Sequence, residues 1–331
     1  MPGIGVGLPF VPLFTASEFT DLVREVETRG YRTAWTGEAA GADAVTIMAL
    51  VAAHTRRLQM ATGVLPIQTR TPVVLGMTAA TLGHAAPGRF ALGLGVSSRA
   101  IVEQWNGLPF HRGLAQMREA VQVIRGVLSG ERVNFEGQFY TIRNFRLGIP
   151  PPPRPVRIVL AALGDDMLRL AGEIADGVLL NWIGPETVPH AVAEITAGAK
   201  RAGRTLDDFE IGAFVRTCVT DDPEPARQAL ARDITGYTTV EAYAQYFRAS
   251  GFAEDIDAAN AAWRAGDRAG AVTKLSPRLL DALGVVGPEA FCRERLAEFT
   301  GAGLTMPVVI PFAPEGDRRA SILRTIRTFP A

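Results

Sequence analysis

Cysteine is scarce in this chain, since Cys218 and Cys292 are the only two among its 331 residues. Two cysteines this far apart provide neither a disulfide framework nor a C-x-x-C metal pair. The motifs H-E-x-x-H and G-x-S-x-G do not occur either, which removes the main support for a metalloprotease or an α/β-hydrolase. The scarcity of cysteine favours a reducing compartment, so we expect a cytoplasmic protein that binds no metal.

The chain also lacks net charge, because 34 Lys and Arg residues balance 34 Asp and Glu residues. A nucleic-acid-binding protein normally carries a basic patch or stripe, so that class is disfavoured. No apolar run approaches the roughly 18 residues of a membrane span, and we therefore expect a soluble protein. The first residues, MPGIGVGLPFVPLF, lack a charged n-region and a cleavage site, and we interpret them as part of the fold.

What the sequence does contain is an alternation of short apolar runs with segments of helical spacing. Continuous apolar runs are typical of strands that are buried on both faces of a parallel sheet. The predicted strands cover residues 4–8, 33–36, 58–65, 90–96, 156–161, 177–181, 209–218 and 306–311. In the helical segment after the first strand, apolar residues recur three and four positions apart, with Ser17 expected to cap its start and Gly30 to end it.

Eight strand–helix units in a chain of this length predict a (β/α)₈ TIM barrel with insertions, forming one domain over residues 1–331. A doubly wound open sheet is the alternative, but the sequence offers no switch-point signature for it. Two stretches exceed one repeat: residues 133–147 predict a surface hairpin, and residues from about 236 to 288 predict a helical insertion. Long insertions on this fold tend to form lids or substrate walls, so we expect the second near the active-site face.

The ends of the strands are where a barrel of this kind carries its chemistry. Glu38 follows the second predicted strand, where it could shuttle a proton or bind a heterocycle N–H group, or could be an ordinary loop acid. Ser97 and Ser98 follow the fourth strand and could bind an anion or simply cap a helix. The fifth strand leads into Ala161 to Met167, the sixth into Asn181 and Trp182, and the seventh into Arg216.

Other candidate residues have an ordinary structural interpretation beside the functional one. Asp165 and Asp166 suit the first turn of a helix and would repel a phosphate. His111, in a loop, could touch a ligand. Lys274, in the long insertion, could receive an anionic substrate group or lie on a solvated helix face. Asp43 most simply caps the next helix.

Five segments, in this order, resemble the luciferase-like monooxygenase superfamily, and within it the deazaflavin (coenzyme F420) dependent oxidoreductases such as methylenetetrahydromethanopterin reductase. They are YRTAWTGEAAGADAVTIMA, ATGVLPIQTRTPVVLGMTAATL, GRFALGLGVSSRAIVEQWNGLPF, MREAVQVIRGVLSGERVNFEGQFY and LAALGDDMLRLAGEIADGVLLNW. The resemblance covers roughly residues 4 to 218, and the last predicted strand is compatible with it. It implies a bacterial-luciferase-like (β/α)₈ barrel whose cofactor lies across the strand ends.

The resemblance also implies roles for individual residues. Glu38 would lie near the redox ring, with Gly63 and Val64 behind it, and a non-prolyl cis peptide is expected at or beside Gly63–Val64. The positions that match the phosphate-tail site are Ser97, Ser98, Ala162, Leu163, Gly164 and Met167. Asp165 departs from the proline that relatives frequently carry, which shifts tail recognition toward backbone N–H groups.

These resemblances lead to the hypothesis of an F420-dependent oxidoreductase that transfers hydride between the deazaflavin C5 and a small organic substrate bound under the insertion. His111, Trp182 and Lys274 are its candidate substrate contacts. Ala39 stands where F420-dependent dehydrogenases commonly have a histidine, so a reaction that needs that base is disfavoured. The alternatives are an FMN-dependent two-component monooxygenase and a barrel that binds a ligand without catalysis. The resemblance further implies a homodimer.

Overall fold

The computed structural model describes residues 3–9, 13–111 and 113–330. Residues 1–2 and 10–12 of the N-terminal run interpreted above as part of the fold lie outside the described residues. The strands are β1 (Gly5–Gly7), β2 (Thr33–Thr36), β3 (Gln59–Thr62), β4 (Leu65–Pro66), β5 (Phe90–Gly95), β6 (Val133–Glu136), β7 (Thr141–Phe145), β8 (Arg157–Ala161), β9 (Gly177–Asn181), β10 (Glu210–Val219), β11 (Gly284–Gly287) and β12 (Met306–Pro311).

The helices follow the strands in alternation through most of the chain. They are α1 (Ala16–Thr28), α2 (Ala44–His54), α3 (Pro72–Ala85), α4 (Gly113–Ser129), α5 (Asp165–Ile174), α6 (Val188–Arg201), α7 (Pro223–Thr238), α8 (Glu241–Phe247), α9 (Ala253–Arg264), α10 (Arg268–Thr273), α11 (Pro277–Leu283), α12 (Glu289–Gly301) and α13 (Arg318–Thr328). Short π-helical turns cover Ala100–Trp105 and Arg248–Phe252, and Pro185–Thr187 is a 3₁₀ turn. Among the described residues, none of the helices combines the length and the apolar character that crossing a bilayer would require.

Eight strands form a closed parallel barrel in the order β1, β2, β3, β5, β8, β9, β10 and β12, with β12 pairing back to β1. The predicted (β/α)₈ fold is therefore confirmed. The predicted third strand, 58–65, is interrupted: β3 ends at Thr62, and β4 resumes beside β5 after Gly63 and Val64. This interruption opens the strand end at the place where a ligand would lie.

The inside of the barrel is packed with apolar side chains. A small interior cluster is formed by Trp35, Ala61, Val159, Leu179, Met306 and Val308. A much larger cluster lies between the strands and the surrounding helices. The barrel is thus a filled core, and only its rim is left for a binding site.

Helix α1 begins two residues earlier than the sequence suggested, because Thr15 and not Ser17 caps it. The Thr15 hydroxyl accepts a hydrogen bond from the Glu18 N–H, while the Glu18 carboxylate accepts one from the Thr15 N–H. This reciprocal pair is a capping box. The helix ends as predicted at Gly30, whose φ of 89° is costly for residues with a side chain.

The capping box predicts an acid-sensitive contribution to stability. The backbone hydrogen bond from Thr15, with help from Arg319, lowers the pKa of Glu18 from 4.5 to about 2. Because the pKa of Glu18 is lower in the folded state, its ionised carboxylate stabilises the fold at pH values above about 4.5. That contribution is lost as the pH falls from about 4.5 toward about 2. We expect Glu18→Gln to lose less stability over this interval than the unmodified protein in urea unfolding curves. Parallel pH profiles for the two proteins would contradict this assignment.

The two stretches that exceed one repeat are folded as follows. Within 133–147, β6 and β7 pair antiparallel, and the Glu119 carboxylate of α4 accepts hydrogen bonds from the N–H groups of residues 138–140. Residues 236–288 contain helices α8 to α11 and end in β11, and they pack with α7, Trp182 and Cys218 in one apolar cluster. The sequence analysis did not predict β11, which pairs with the second half of β10.

Candidate active site at the barrel rim

A cavity of about 400 Å³ lies at the C-terminal ends of the barrel strands. We call it the mouth cavity. It is lined by Gly37, Glu38, Ala39, Gly41, Gly63, Val64, Pro66, Gly95, Val96, Ser97, Ala161, Leu179, Asn181, Phe214, Arg216, Tyr237 and Tyr243. Four residues that the sequence analysis selected, Glu38, Gly63, Val64 and Ser97, therefore share one cavity.

Close backbone approach shapes one wall of the mouth cavity. The Gly63–Val64 peptide bond is cis, which confirms the expectation for this position. The Gly63 N–H donates to the Thr36 carbonyl at 2.7 Å, and the Glu38 N–H donates to the Val64 carbonyl at 3.3 Å. A Cβ atom on Gly37 would lie 2.6 Å from the Gly63 oxygen, so this crossing admits only glycine. The strand ends thus present backbone and little side-chain bulk.

Glu38 is not a free acid, because Arg70 binds both of its carboxylate oxygens. The Arg70 Nε donates to Oε1 at 3.1 Å, and Nη2 donates to Oε2 at 2.9 Å. Arg70 also pairs with Asp43, which caps α2 by accepting from the Thr46 N–H at 2.7 Å. The hydrogen bond to Glu38 raises the pKa of Arg70. This two-point contact fixes the carboxylate in the wall of the cavity.

The mouth cavity is also lined by a buried cation, Arg216 of β10. Its side chain lies over the ring of Trp182, with 3.7 Å between the guanidinium carbon and the ring centroid. Its Nη1 donates to the Asn181 side-chain oxygen. The Asn181 Nδ2 in turn donates to the Tyr243 hydroxyl at 2.8 Å. Burial raises the pKa of Tyr243 above its ordinary value, which keeps the phenol protonated.

A second cavity of about 680 Å³ adjoins the first and shares Asn181 with it. We call it the side cavity. Ala162, Leu163 and Gly164, three of the positions matched to a cofactor tail, line it. Gly164 is the N-cap of α5, and a Cβ atom there would meet no atom within 4 Å. The N-terminus of α5 is therefore accessible to an anion.

Acidic side chains at the rim of the side cavity are engaged by neighbouring cations. Asp165 and Glu194 both form ion pairs with Arg169, and the His190 ring bonds to the Asp165 carboxylate with 2.9 Å between Nε2 and Oδ1. These three potential metal ligands lie within 4.8 Å of one another. Because Arg169 already supplies their counter-charge, the group has the character of an ion-pair network.

The remaining residues selected from the sequence lie elsewhere. The Ser98 hydroxyl accepts from the Ile101 N–H at 3.3 Å, so it caps a turn. Met167 packs against the outer core, and Trp182 is fully buried beneath Arg216. His111 is exposed and contacts the Phe139 ring, and Lys274 is exposed at the end of α10. Among the described residues, none of these five lines the mouth cavity.

Sequence reasoning did not select Arg70, Asn181, Arg216 or Tyr243 as site residues. Asn181 and Arg216 stand at predicted strand ends, so the rule that selected Glu38 applies to them equally. Arg70 and Tyr243 gave no such signal, because Arg70 lies in a loop and contacts the cavity residue Glu38, and Tyr243 reaches the cavity from the insertion.

A closed parallel barrel with a cavity at its strand ends is the arrangement in which (β/α)₈ enzymes carry their active sites. More specifically, the chain belongs to the luciferase-like monooxygenase family, whose model matches residues 4–306. A Mycobacterium tuberculosis protein named "Putative coenzyme F420-dependent oxidoreductase" is 32% identical over 323 residues, covering 92% of this chain and 93% of that protein.

Two further relatives extend the comparison. The 5,10-methylenetetrahydromethanopterin reductase of Archaeoglobus fulgidus is 28% identical over 323 residues, covering 96% of each chain. The solved structure of the coenzyme F420 dependent tetrahydromethanopterin reductase from Methanopyrus kandleri superimposes with a TM-score of 0.80 at 23% identity, covering 98% of this chain and 97% of that one. At that identity the structural match supports the fold alone.

Proposed function

We propose that this protein is an F420-dependent oxidoreductase that transfers hydride between the deazaflavin and a small organic substrate. The observation that carries the proposal is the mouth cavity, where Glu38, Gly63, Val64 and Ser97 meet beside the side cavity. The names of the Mycobacterium and Archaeoglobus relatives support F420 as the cofactor over FMN.

The residues present fit a flat ring with an anionic tail. Gly37, Gly63 and Gly95 leave the wall of the mouth cavity without side chains, and Val64 and Phe214 add apolar surface. A Cβ atom on Gly95 would lie 2.4 Å from Val64 Cγ2, so added bulk would displace that wall. The side cavity offers the accessible N-terminus of α5, whose partial positive charge suits a phosphate.

The cofactor supplies the hydride chemistry, and the protein supplies binding, orientation and exclusion of water. Val64, Leu179 and Phe214 keep water from the cavity floor. Glu38 is fixed by Arg70, and its carboxylate retains lone pairs that can accept a heterocycle N–H. We therefore assign Glu38 to ring positioning, since Arg70 already holds both of its carboxylate oxygens in place.

A cofactor titration tests the proposal. We expect oxidised F420 to bind at micromolar concentration or below, followed by its absorbance, and FMN to bind at least tenfold more weakly. Tight binding of reduced FMN with oxygen consumption would favour the monooxygenase instead. Failure to bind either cofactor would favour a non-catalytic barrel.

The accessible N-terminus of α5 gives a sharper prediction. In Gly164→Asp, the new carboxylate would cap the helix and occupy the N–H groups that an anionic tail needs. We expect the F420 dissociation constant to rise about tenfold, while a deazaflavin without the phosphate tail binds as before. The midpoint temperature of thermal unfolding of Gly164→Asp should be unchanged or slightly higher.

The matched control for this variant is Gly148→Asp, which adds the same charge at a glycine with no atom within 4 Å of a Cβ position. It should leave both affinities unchanged. Equal weakening of the tailed and tail-less deazaflavins by Gly164→Asp would contradict a tail site at α5.

A further inference from the structure

Arg216 is the one buried side chain of the mouth cavity with full charge and unused hydrogen-bonding capacity among the described residues. It is only 7% exposed. Of its five N–H groups, one donates to Asn181, and Nε has no hydrogen-bond acceptor in the described part of the chain. The nearest carboxylate, Asp233, is half-exposed, and its oxygen lies 3.7 Å from Nε.

A buried guanidinium is costly unless its donors are satisfied. The Trp182 ring lies beneath the Arg216 guanidinium, and its π face balances part of the positive charge. The ring accepts no hydrogen bond in the plane of the guanidinium, where the N–H groups point. Nε faces the Asp233 carboxylate at a distance too long for a hydrogen bond, and because Arg216 lines the mouth cavity, a ligand in that cavity can supply acceptors to the guanidinium. The unused edge of the guanidinium is therefore a site for a ligand acceptor.

Tyr243 adds a second donor beside Arg216. Its hydroxyl oxygen accepts from Asn181, which leaves the hydroxyl hydrogen available toward the cavity. The Tyr237 ring packs edge-on against the Tyr243 ring with 4.8 Å between centroids, so the phenol is held in place. Asn181 thus couples the two donors, because it bonds to Arg216 through its oxygen and to Tyr243 through its nitrogen.

The charges around the mouth cavity select the sign of the ligand. The negative charge of Glu38 is balanced by Arg70, whereas the only carboxylate near the positive charge of Arg216 in the described part of the chain is the half-exposed Asp233. A cationic group placed against Arg216 would be repelled at low effective dielectric. A planar anion matches both the fork of the guanidinium and the adjacent phenol donor.

We propose that Arg216, with Tyr243 beside it and Asn181 positioning both, binds a carboxylate group of the substrate. This inference deepens the proposed function, on which it rests for the assumption that substrate and cofactor share the mouth cavity. It identifies the substrate class as small organic acids, and it makes Arg216 the residue that determines specificity.

Calorimetric titration with benzoate, benzamide and benzylammonium tests the charge and shape of this site, because the three probes share a ring and differ in one group. The titrations use the full chain with and without oxidised F420. We expect benzoate to bind at least tenfold more tightly than benzamide, and benzylammonium not to bind. Equal binding of benzoate and benzamide, or no benzoate binding at millimolar concentration, would overturn the inference.

Variants assign the effect to Arg216. Arg216→Gln should abolish the preference for benzoate over benzamide, and Arg216→Lys, which keeps the charge but loses the fork, should reduce it at least threefold. Arg278→Gln is the matched control, since Arg278 also lies over an aromatic ring, that of Phe252, but outside the mouth cavity. If Arg216→Gln does not fold, the Arg216→Lys result decides.

F420 affinity is measured on the same samples, which separates the two proposals. F420 binding without benzoate recognition would overturn the assignment of Arg216 alone. Benzoate recognition without F420 binding would overturn the proposed cofactor alone. Weakened F420 binding in Arg216→Gln with unchanged benzoate binding would show that the guanidinium serves the cofactor, which also overturns the inference.

Discussion

Gly93→Ala is expected to lower the free energy of unfolding by about 3 kcal/mol or more, because the new methyl group has no space. Its Cβ atom would lie 1.7 Å from the Thr62 carbonyl oxygen, and that oxygen belongs to the backbone of β3. Thr62 is fully buried and exchanges two hydrogen bonds with Gly93, at 2.9 Å and 2.8 Å. The substitution therefore pushes apart β3 and β5 immediately below the Gly63–Val64 wall of the mouth cavity.

Urea unfolding followed by circular dichroism measures this effect. Gly236→Ala is the matched control, since Gly236 lies within α7 and has no atom within 4 Å of a Cβ position. We expect the free energy of unfolding of that control to rise by roughly 0.5–1 kcal/mol, as is usual for Gly→Ala in an exposed helix. Similar stability for the Gly93→Ala and unmodified proteins would contradict the described contact between β3 and β5.

Arg70→Met is expected to weaken F420 binding about tenfold or more. The guanidinium pairs with both Glu38, which lines the mouth cavity, and Asp43, so its removal leaves these two carboxylates without a counter-charge. An anionic cofactor would then meet uncompensated negative charge in a partly buried site. Adding Glu38→Gln should restore much of the affinity, because it removes one of the two carboxylates while the glutamine side-chain oxygen can still accept the ring N–H.

Fluorescence or absorbance titration of the two single variants and the double variant gives the coupling energy between Arg70 and Glu38. Arg118→Met serves as control, since it removes an ion pair with Glu173 that lies outside both cavities. Unchanged F420 affinity in Arg70→Met would argue against a charge role for the pair. Equal F420 affinity in Arg70→Met and in the double variant would show that the Glu38 carboxylate does not repel the cofactor.

The barrel could be predicted from the sequence because its strands are buried on both faces. Such strands are continuous apolar runs, and the predicted 33–36, 177–181 and 306–311 coincide with β2, β9 and β12. The short β11 was not predicted, because its four residues follow α11 directly, with no intervening loop. Only the pairing with β10 makes it a strand.

The cap of α1 shows how a local signal can be ambiguous. Thr15 and Ser17 are both suitable N-cap residues, and each is followed at a short distance by polar and apolar residues of helical spacing. The Glu18 carboxylate decides between them, since it reaches back to the Thr15 N–H at 2.8 Å. A capping-box search over both positions would have identified the correct start.

The candidate site could be predicted only in part. The strand-end rule located Glu38, Gly63 and Ser97, which share the mouth cavity. It could not indicate that Trp182 would be buried beneath Arg216, since adjacent residues at a strand end point in different directions. His111 and Lys274 were selected by residue type and by their positions in a loop and in the insertion, and the structure leaves both residues exposed.

The sequence by itself determined the eightfold alternation and the positions where glycine leaves the backbone bare. These are local properties, set by the periodicity of apolar residues and by the absence of a side chain. The tertiary structure alone decided the partners of the charges: Arg70 for Glu38, and Asn181 for Arg216. The physical reason is that these partners lie 32 and 35 residues apart and meet only when neighbouring strands pair, β2 with β3 and β9 with β10.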